Sequence, residues 1–176
     1  MKHVIIVNGK PRAGKDTLIA LMREMVPCAS HEFSSIDPVR RMLNKHVDLS
    51  RKTEADRKLL ATVGDAMEAH SGFRTAACLD EVSLFFMARR AGLFFCHIRE
   101  PHHIATLSRA WRLQGIKVTT VLLRSIRAED VQSNPADAGV EKMRYDRTIE
   151  NNGTLVDLRD AARAFLVDLD LLSPLT

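Results

Sequence analysis

Three residues near the start of the chain, Gly9, Gly14 and Lys15, have types and a spacing that suit phosphate chemistry. Their pattern is G-x-x-x-x-G-K, which is typical of a phosphate-binding loop when a strand precedes it and a helix follows. The glycines let the backbone curl so that successive N–H groups point at an anion. A helix beginning near Lys15 adds the positive end of its dipole, and the lysine adds a full charge. The spacing therefore predicts a polyphosphate site; the alternative is a chance match on a turn.

The two residues after the lysine bear on metal binding. Asp16 follows Lys15 directly, where the generic motif has a Ser or Thr whose hydroxyl binds Mg²⁺, and Thr17 comes next. We therefore expect Thr17 or Asp16 to bind the Mg²⁺ that accompanies a nucleoside triphosphate.

The elements that must position this loop follow from hydrophobic patterns. Apolar runs at 4–7, 93–98 and 116–123 are typical of strands buried on both faces, and shorter strands are predicted near Phe33 and at 148–149. Helical spacing predicts helices over 15–26, from 37, over 53–70, 75–90 and 101–114, and from 154. This alternation predicts one α/β domain over the whole chain, with a parallel five-stranded sheet and helices on both faces. Ligands of such sheets bind at the carboxyl ends of the strands.

The composition disfavours several classes of protein. The chain has 176 residues, 45% of them apolar, and 26 Lys and Arg against 22 Asp and Glu give a formal charge of +4. Only 5% of the residues are aromatic, so we expect no nucleic-acid partner. Cys28, Cys78 and Cys96 form no CxxC pair, which indicates a reducing compartment rather than a zinc ribbon or disulfide scaffold. No apolar run reaches about 18 residues, so we expect no membrane span and a cytoplasmic location.

Four stretches, in order along the chain, resemble the nucleoside monophosphate kinase group of P-loop proteins. They are GKPRAGKDT at 9–17, IDPVRR at 36–41, IREP at 98–101 with the helix and strand that follow it, and IENNGTL at 149–155. The bacteriophage-type deoxynucleoside monophosphate kinases look most similar. Adenylate kinases and animal-type phosphomevalonate kinases also put one residue between Lys and Thr. The resemblance implies a P-loop NTPase three-layer sandwich, ATP and Mg²⁺ as cofactors, and phosphoryl transfer to a nucleoside or deoxynucleoside monophosphate.

The resemblance also implies site residues. The segment of about 36–75 would bind the acceptor, and 124–146 would form a short lid. The residues expected to bind ATP are Gly9, Lys10, Arg12, Ala13, Gly14, Lys15, Asp16, Thr17, Arg124, Asn152 and Gly153. Those expected at the acceptor are Asp37, Arg40, Arg41, Arg74, Arg99 and Glu100. The expected catalytic residues are Lys15, Arg99, Arg124, Arg127 and Arg144, and the expected metal ligands are Asp16, Thr17 and Glu100.

Arginine is the residue type that the proposed chemistry needs, because its planar fork pairs with two phosphate oxygens at once. Each arginine nevertheless has a structural alternative, such as a solvated helix face for Arg40 or a charged surface loop for Arg144 and Arg147. Asp37 could contact the acceptor, orient an arginine or simply cap the helix that begins with Pro38.

One departure from the family concerns the metal. The family commonly has an acidic residue at the end of the third strand, where it organises magnesium, whereas this chain reads Cys96-His97-Ile98-Arg99. Glu100 is the nearest carboxylate. Either Glu100 substitutes, or metal binding differs, or activity is weak.

Other conspicuous residues have ordinary structural interpretations. We expect His102 and His103 to lie on the surface, Trp111 to be half buried, and the methionines and the pairs 85–86 and 94–95 of phenylalanines to lie in the core.

Three other functions compete with a monophosphate kinase. The first is a kinase for another small phosphorylated metabolite, such as phosphomevalonate. The second is a nucleotide-binding regulatory protein with little turnover, and the third is nucleic-acid end processing, which the low aromatic content disfavours. Monomer and homodimer both remain open.

Overall fold

Five strands and six helices form the part of the chain that the computed structural model describes, residues 1–51, 53–128, 139–141 and 143–173. In chain order they are β1 (Lys2–Asn8), α1 (Lys15–Met25), β2 (Ser30–Ser34), α2 (Asp37–Leu43), α3 (Glu54–Ser71), α4 (Phe73–Ala88), β3 (Gly92–His97), α5 (Pro101–Leu113), β4 (Lys117–Arg124), β5 (Arg147–Glu150) and α6 (Leu155–Asp168). Every predicted element is present, with ends within two residues of those expected. The middle of the predicted lid, 129–138, lies outside the described residues.

The five strands run parallel in a sheet of order β2-β3-β1-β4-β5. Ile5 of the central strand pairs with Phe95 of β3 on one side and with Thr119 of β4 on the other. The chain leaves β1 toward β2 but leaves β3 toward β4, so the direction of winding reverses between β1 and β3. Ligands bind outside the carboxyl ends of the strands at such a reversal. The predicted sheet is confirmed, and the crevice at its reversal adjoins the loop after β1.

Apolar side chains build one core on each face of the sheet. One core packs α1 and α6 against side chains that include Ile5 and Phe95. The other packs α4 and α5 against side chains that include Ile6 and Phe94. Because successive residues of a strand point to opposite faces, a continuous apolar run such as 4–7 supplies both cores at once. The layers are therefore helix, sheet and helix, as the sequence predicts.

A third and smaller core lies in the segment predicted to bind the acceptor. Val39 of α2, Leu60 of α3 and Leu49 between these helices are all buried together. This core is separate from the two that cover the sheet, so α2 and α3 form a small helical layer beside the crevice.

Gly72 joins α3 to α4 with almost no loop. It has φ 64°, a left-handed conformation that costs glycine little, and it ends one helix while beginning the next. This is why α4 starts at Phe73, two residues earlier than the spacing of apolar residues predicts.

The predicted burial is wrong for Trp111 and for three of the methionines, since Met1 and Met42 are exposed as well as Met87. Trp111 is fully buried rather than half buried, because it packs under α5 against the sheet. Met87 is 81% exposed, because it lies on the outer side of α4 near the end of that helix. No described helix is both long and apolar enough to cross a membrane.

Candidate functional site

Two glycines shape the loop between β1 and α1, which we call the phosphate loop (residues 9–17). Gly9 has φ 154°, and a Cβ atom there would overlap the backbone oxygen of Leu123 in β4. Gly14 has φ 93°, and its Cβ would lie 2.6 Å from Nδ2 of Asn151. The loop can approach β4 and the turn after β5 this closely only because both positions are glycine.

The phosphate loop leads into the amino end of α1. Gly14 is the N-cap and α1 begins at Lys15 without a side-chain cap, so the first N–H groups of the helix face the loop. Lys15 folds back, and its Nζ donates to the backbone oxygens of Gly9 (2.8 Å) and Lys10 (2.9 Å). Backbone donors, the helix dipole and an ammonium group thus converge on one place, which is the arrangement that binds phosphate.

The other predicted residues of the loop surround the same turn of backbone. Ala13 is fully buried, and its N–H donates to the oxygen of Lys10 at 3.2 Å. Arg12 is exposed and has a left-handed φ of 62°, which is uncommon for a residue with a Cβ atom. Asp16 and Thr17 are exposed on the first turn of α1.

Asn8, the last residue of β1, ties the phosphate loop to two other segments. Its Oδ1 accepts from the N–H of Gly9 (2.8 Å), and its Nδ2 donates to the oxygen of Arg99 (3.1 Å) and to Oη of Tyr145 (2.8 Å). Tyr145 in turn donates to the oxygen of Val140 (2.8 Å), and burial raises its pKa to about 12. The sequence analysis missed both side chains. The position of Asn8 before the first glycine was an available signal, whereas no pattern marks Tyr145.

Asn151 ties the loop to the ends of β4 and β5. Its Nδ2 donates to the oxygen of Ala13 (2.9 Å), and its backbone N–H donates to the oxygen of Arg124 (2.7 Å). The next residue, Asn152, accepts from the N–H of Ile126 (2.8 Å) through Oδ1. The predicted ATP-binding residues Arg124 and Asn152 therefore lie next to the phosphate loop, and Asn151 is a further residue that the sequence analysis did not single out.

The predicted lid arginines lie at the carboxyl edge of the sheet or beyond it. Arg124 ends β4, is half exposed and lies 3.9 Å from Glu150 through its Nη1 atom. Arg127 and Arg144 are exposed on either side of the segment 129–138.

Two expectations near β5 change. Arg147 closes the predicted lid, where it was expected to clamp the γ-phosphate together with Arg144. In the structure it begins β5, and its Nε is 3.7 Å from Oδ2 of Asp168 at the end of α6, so its side chain pairs with that helix. A Cβ atom at Gly153 would overlap the carboxylate of Asp157, which belongs to the capping box that begins α6. The cap explains this glycine without a ligand.

The predicted acceptor residues of α2 lie on its exposed side. Arg40 pairs with Asp37 (Nη1 to Oδ1, 2.5 Å), and Arg41 pairs with Glu81 (3.2 Å) while its side chain stays 65% exposed. Arg99 lies two residues after the end of β3, is half buried, and accepts a hydrogen bond from Asn8 at the end of β1 through its backbone oxygen. Among the predicted acceptor residues, Arg99 therefore has a direct contact with the strand that leads into the phosphate loop.

Asp37 caps a strand rather than a helix. The N-cap of α2 is Ile36, whereas Oδ2 of Asp37 accepts from the N–H of Ser34 (2.8 Å) at the end of β2.

An open groove of about 640 Å³ runs beside α2. Its lining residues are Arg40, Asn44, His46, Val47, Asp48, Leu49 and Ser50.

Arg74 is buried, which argues against its predicted role at the acceptor. Its side chain is only 6% exposed, with Nη1 3.0 Å from Oε1 of Glu100 and Nη2 2.9 Å from Oδ1 of Asp65. Its backbone N–H donates to Oε2 of Glu68 (2.7 Å). The guanidinium therefore holds α3, α4 and the start of α5 together instead of facing the crevice.

His103 completes this set of charges, which we call the ion-pair network (Asp65, Glu68, Arg74, Glu100 and His103). Its Nε2 is 3.0 Å from Oε1 of Glu68, and its Nδ1 is 3.5 Å from Oε2 of Glu100. The prediction that His103 lies on the surface is wrong, because its side chain is only 8% exposed.

Glu100 is held too firmly to suit its predicted roles as metal ligand and acceptor residue. Burial alone would raise its pKa, but the hydrogen bond from His103 and the charge of Arg74 outweigh burial and lower the pKa to about 2. Both carboxylate oxygens already contact Arg74 or His103. Binding a metal would require Glu100 to leave them, so Glu100 is a structural residue in this arrangement.

Asp16 has other neighbours that can bind a metal. One ligand atom from each of Asp16, Glu32 and His97 lies within 4.8 Å of the other two. Glu32 lies on β2 and His97 ends β3, so the three groups meet beside the phosphate loop at the winding reversal. The sequence analysis paired Asp16 with Thr17 and Glu100 and did not consider Glu32 or His97.

Comparisons with known proteins show the fold. No family model and no curated protein matches this sequence. The tunicamycin resistance protein of Deinococcus radiodurans aligns with a TM-score of 0.55 and 14% identity over 98% of this chain and 99% of that one. TT1252 from Thermus thermophilus aligns with a TM-score of 0.50 and 20% identity, over 96% and 98%.

A solved APS kinase, CysC of Mycobacterium tuberculosis in complex with AMPPNP and APS, aligns over 96% of this chain and 98% of that one. The TM-score is 0.49 and the identity 13%, too low to carry an argument about function. The five-stranded parallel sheet with helices on both faces, together with the likeness to the tunicamycin resistance protein and to TT1252, confirms the predicted three-layer α/β fold.

Proposed function

We propose that this protein is an ATP-dependent kinase that transfers a phosphoryl group to a nucleoside or deoxynucleoside monophosphate. The observation that carries the proposal is the phosphate loop, in which Gly9 and Gly14 permit a tight backbone turn and Lys15 lies over it. The loop opens into the crevice where the winding of the sheet reverses. A loop of this kind in this place suits the β- and γ-phosphates of a nucleoside triphosphate.

The chemistry then depends on position and charge. Phosphoryl transfer has a loose transition state whose negative charge must be neutralised. Lys15 would neutralise the donor phosphates, and Arg99 would hold the acceptor phosphate from the adjacent end of β3. Arg124, Arg127 and Arg144 border the lid segment and would approach the transferring group. A divalent cation, when bound, would neutralise charge between the β- and γ-phosphates.

Transfer to a monophosphate acceptor needs no general base, since the phosphate oxygen of the acceptor is already an anionic nucleophile. The main competing nucleophile is water, which would turn the enzyme into an ATPase. Closure of the lid over the crevice would exclude that water and strengthen the interactions of Lys15 and the arginines.

The direct test is an assay of transfer. The protein is incubated with ATP, a divalent cation and a panel of nucleoside and deoxynucleoside monophosphates, and diphosphate products are separated by chromatography. We expect a product with at least one acceptor, and loss of that product in Lys15→Ala. The matched control is Lys117→Ala, an exposed lysine at the amino end of β4, which should keep the activity. Release of ADP at a rate that does not depend on the acceptor would contradict the proposal.

A second candidate is a kinase for a smaller phosphorylated metabolite. Phe73 is the only aromatic residue in the segment 36–75, and it packs against the third core instead of offering a ring to a base. This favours an acceptor without a base. Adding phosphomevalonate and similar phosphorylated metabolites to the same panel distinguishes the two candidates.

A third candidate is a nucleotide-binding regulatory protein. It is favoured by the imidazole of His97 at the end of β3, where the resemblance leads us to expect a carboxylate. Tight ATP binding without transfer to any member of the panel would support it.

A further inference from the structure

Asp16, Glu32 and His97 form a compact group of one nitrogen and two oxygen ligand atoms, which we call the mixed site. The three ligand atoms lie within 4.8 Å of one another, and Nε2 of His97 is 2.9 Å from Oε1 of Glu32. Two atoms that each lie about 2.1 Å from one ion are at most about 4.2 Å apart. A shift of at most about 1 Å by the exposed Asp16 side chain would bring all three to bonding distance.

Two of the three ligands stand on paired strands. His97 is opposite Ser34 in the register of β2 and β3, and Glu32 is two residues before Ser34 on the same strand. Residues i and i+2 of a strand share a face, and so do cross-strand partners. The sheet itself therefore holds Glu32 and His97 on one face, toward α1, from which Asp16 reaches them.

The charges in the mixed site suit a cation. Two of its three ligands are carboxylates; Oε2 of Glu32 pairs with Arg23 (3.1 Å), and Oε1 of Glu32 faces Nε2 of His97 (2.9 Å). The contact between His97 and Glu32 places a proton on the line between Nε2 and Oε1. A metal ion replaces such a proton, because a histidine ligand must be deprotonated at the nitrogen that binds.

The ligand types indicate the class of ion. Mg²⁺ prefers oxygen ligands in a regular octahedron and keeps several waters, whereas imidazole is a good ligand for first-row transition ions. We propose that Asp16, Glu32 and His97 bind a divalent transition-metal ion beside the phosphate loop in preference to Mg²⁺. Its role as the counter-ion of the triphosphate rests on the proposed function, but its binding to the free protein does not.

The test uses the full chain without nucleotide and Mn²⁺ as the probe. Free Mn²⁺ has a paramagnetic resonance signal that falls on binding, so a titration gives stoichiometry and affinity. We expect one ion per chain, with Mg²⁺ needing at least about tenfold higher concentration than Co²⁺ to displace it. His97→Gln should weaken binding at least about tenfold. The matched control is His102→Gln, an exposed histidine outside the mixed site, which should bind Mn²⁺ like the parent.

A second measurement needs no variant. In the NMR spectrum of the parent protein, bound Mn²⁺ should broaden the imidazole signals of His97 more strongly than those of His102. Equal affinity in the parent and in folded His97→Gln, no binding at all, or equal affinity for Mn²⁺ and Mg²⁺ would each overturn the proposal.

The proposal can fail independently of the proposed function. Lys15→Ala should lose ATP affinity and still bind Mn²⁺ in the absence of nucleotide. If ATP binds and Mn²⁺ does not, the mixed site is wrong and the kinase assignment stands. If Mn²⁺ binds at His97 and no transfer occurs, the mixed site stands and the kinase assignment is wrong.

Discussion

The phosphate loop and the ion-pair network depend on different physics. The loop is shaped by its backbone: positive φ angles at Gly9 and Gly14, a hydrogen bond from the N–H of Gly9 to Asn8, and one from Asn151 to the backbone oxygen of Ala13. The network is made of polar and charged side chains from α3, α4 and the start of α5, with Arg74 at its centre. The loop presents backbone N–H groups to a ligand, whereas the polar groups of the network pair with one another.

This difference teaches how far residue type predicts role. A glycine whose Cβ would overlap a neighbouring strand is needed for the close approach of the backbone, and the motif at 9–17 is enough to predict it. An arginine can bind a ligand or pair with a carboxylate of the protein, and only its contacts in the structure decide between these roles. Arg74 pairs with Asp65 and Glu100 and is therefore a structural residue.

The largest expected effect tests the network. Arg74→Met removes the cation from Glu100, which is 14% exposed, and leaves a buried carboxylate short of a partner. We expect the free energy of unfolding, measured by urea titration, to fall by about 3–5 kcal/mol. Arg41→Met, on an exposed arginine of α2, should change it by less than about 0.5 kcal/mol. Equal small losses of unfolding free energy in both variants would contradict a structural role for Arg74.

The next effect tests the loop. Gly9→Ala places a methyl group against the oxygen of Leu123, so the loop must move away from β4. We expect ATP affinity, measured by calorimetry, to fall at least about 100-fold, or about 2.8 kcal/mol.

Gly115→Ala is the matched control for this variant. Gly115 also has a positive φ, 73°, but a Cβ there meets nothing within 4 Å. It should lose a little stability and keep ATP affinity. If both alanine variants bind ATP equally well, the shape of the loop at Gly9 does not control binding.

A smaller effect appears as pH dependence of the network. The pKa of Glu100 is about 2 in the folded protein, below its ordinary value of 4.5, so its contribution to stability is complete above about pH 4.5 and is lost as the pH falls toward 2. This carboxylate alone should remove about 2 kcal/mol of unfolding free energy between about pH 6 and pH 3. Glu100→Gln should flatten that part of the stability profile. An unchanged slope would show that other carboxylates cause it.

The fold could be predicted from the sequence because its signals are local. Apolar runs, helical spacing and the glycine pattern each act over fewer than twenty residues, and every strand and helix was expected near its observed place. The phosphate loop followed from the same kind of signal.

The rest could not be predicted because it depends on contacts between distant segments. His103 is buried because Glu68, which lies on another helix far from it in the sequence, pairs with it. The mixed site joins Asp16 to His97, and no spacing in the sequence links them. The oligomeric state and the identity of the acceptor stay predictions.

The central claim is that the phosphate loop binds the phosphates of ATP. Calorimetry with ATP on the parent protein and on Lys15→Ala tests it most directly, since this ammonium lies over the loop in the structure. We expect measurable binding to the parent and a loss of at least about tenfold, or about 1.4 kcal/mol, in the variant. Equal affinity in the two proteins would contradict the account.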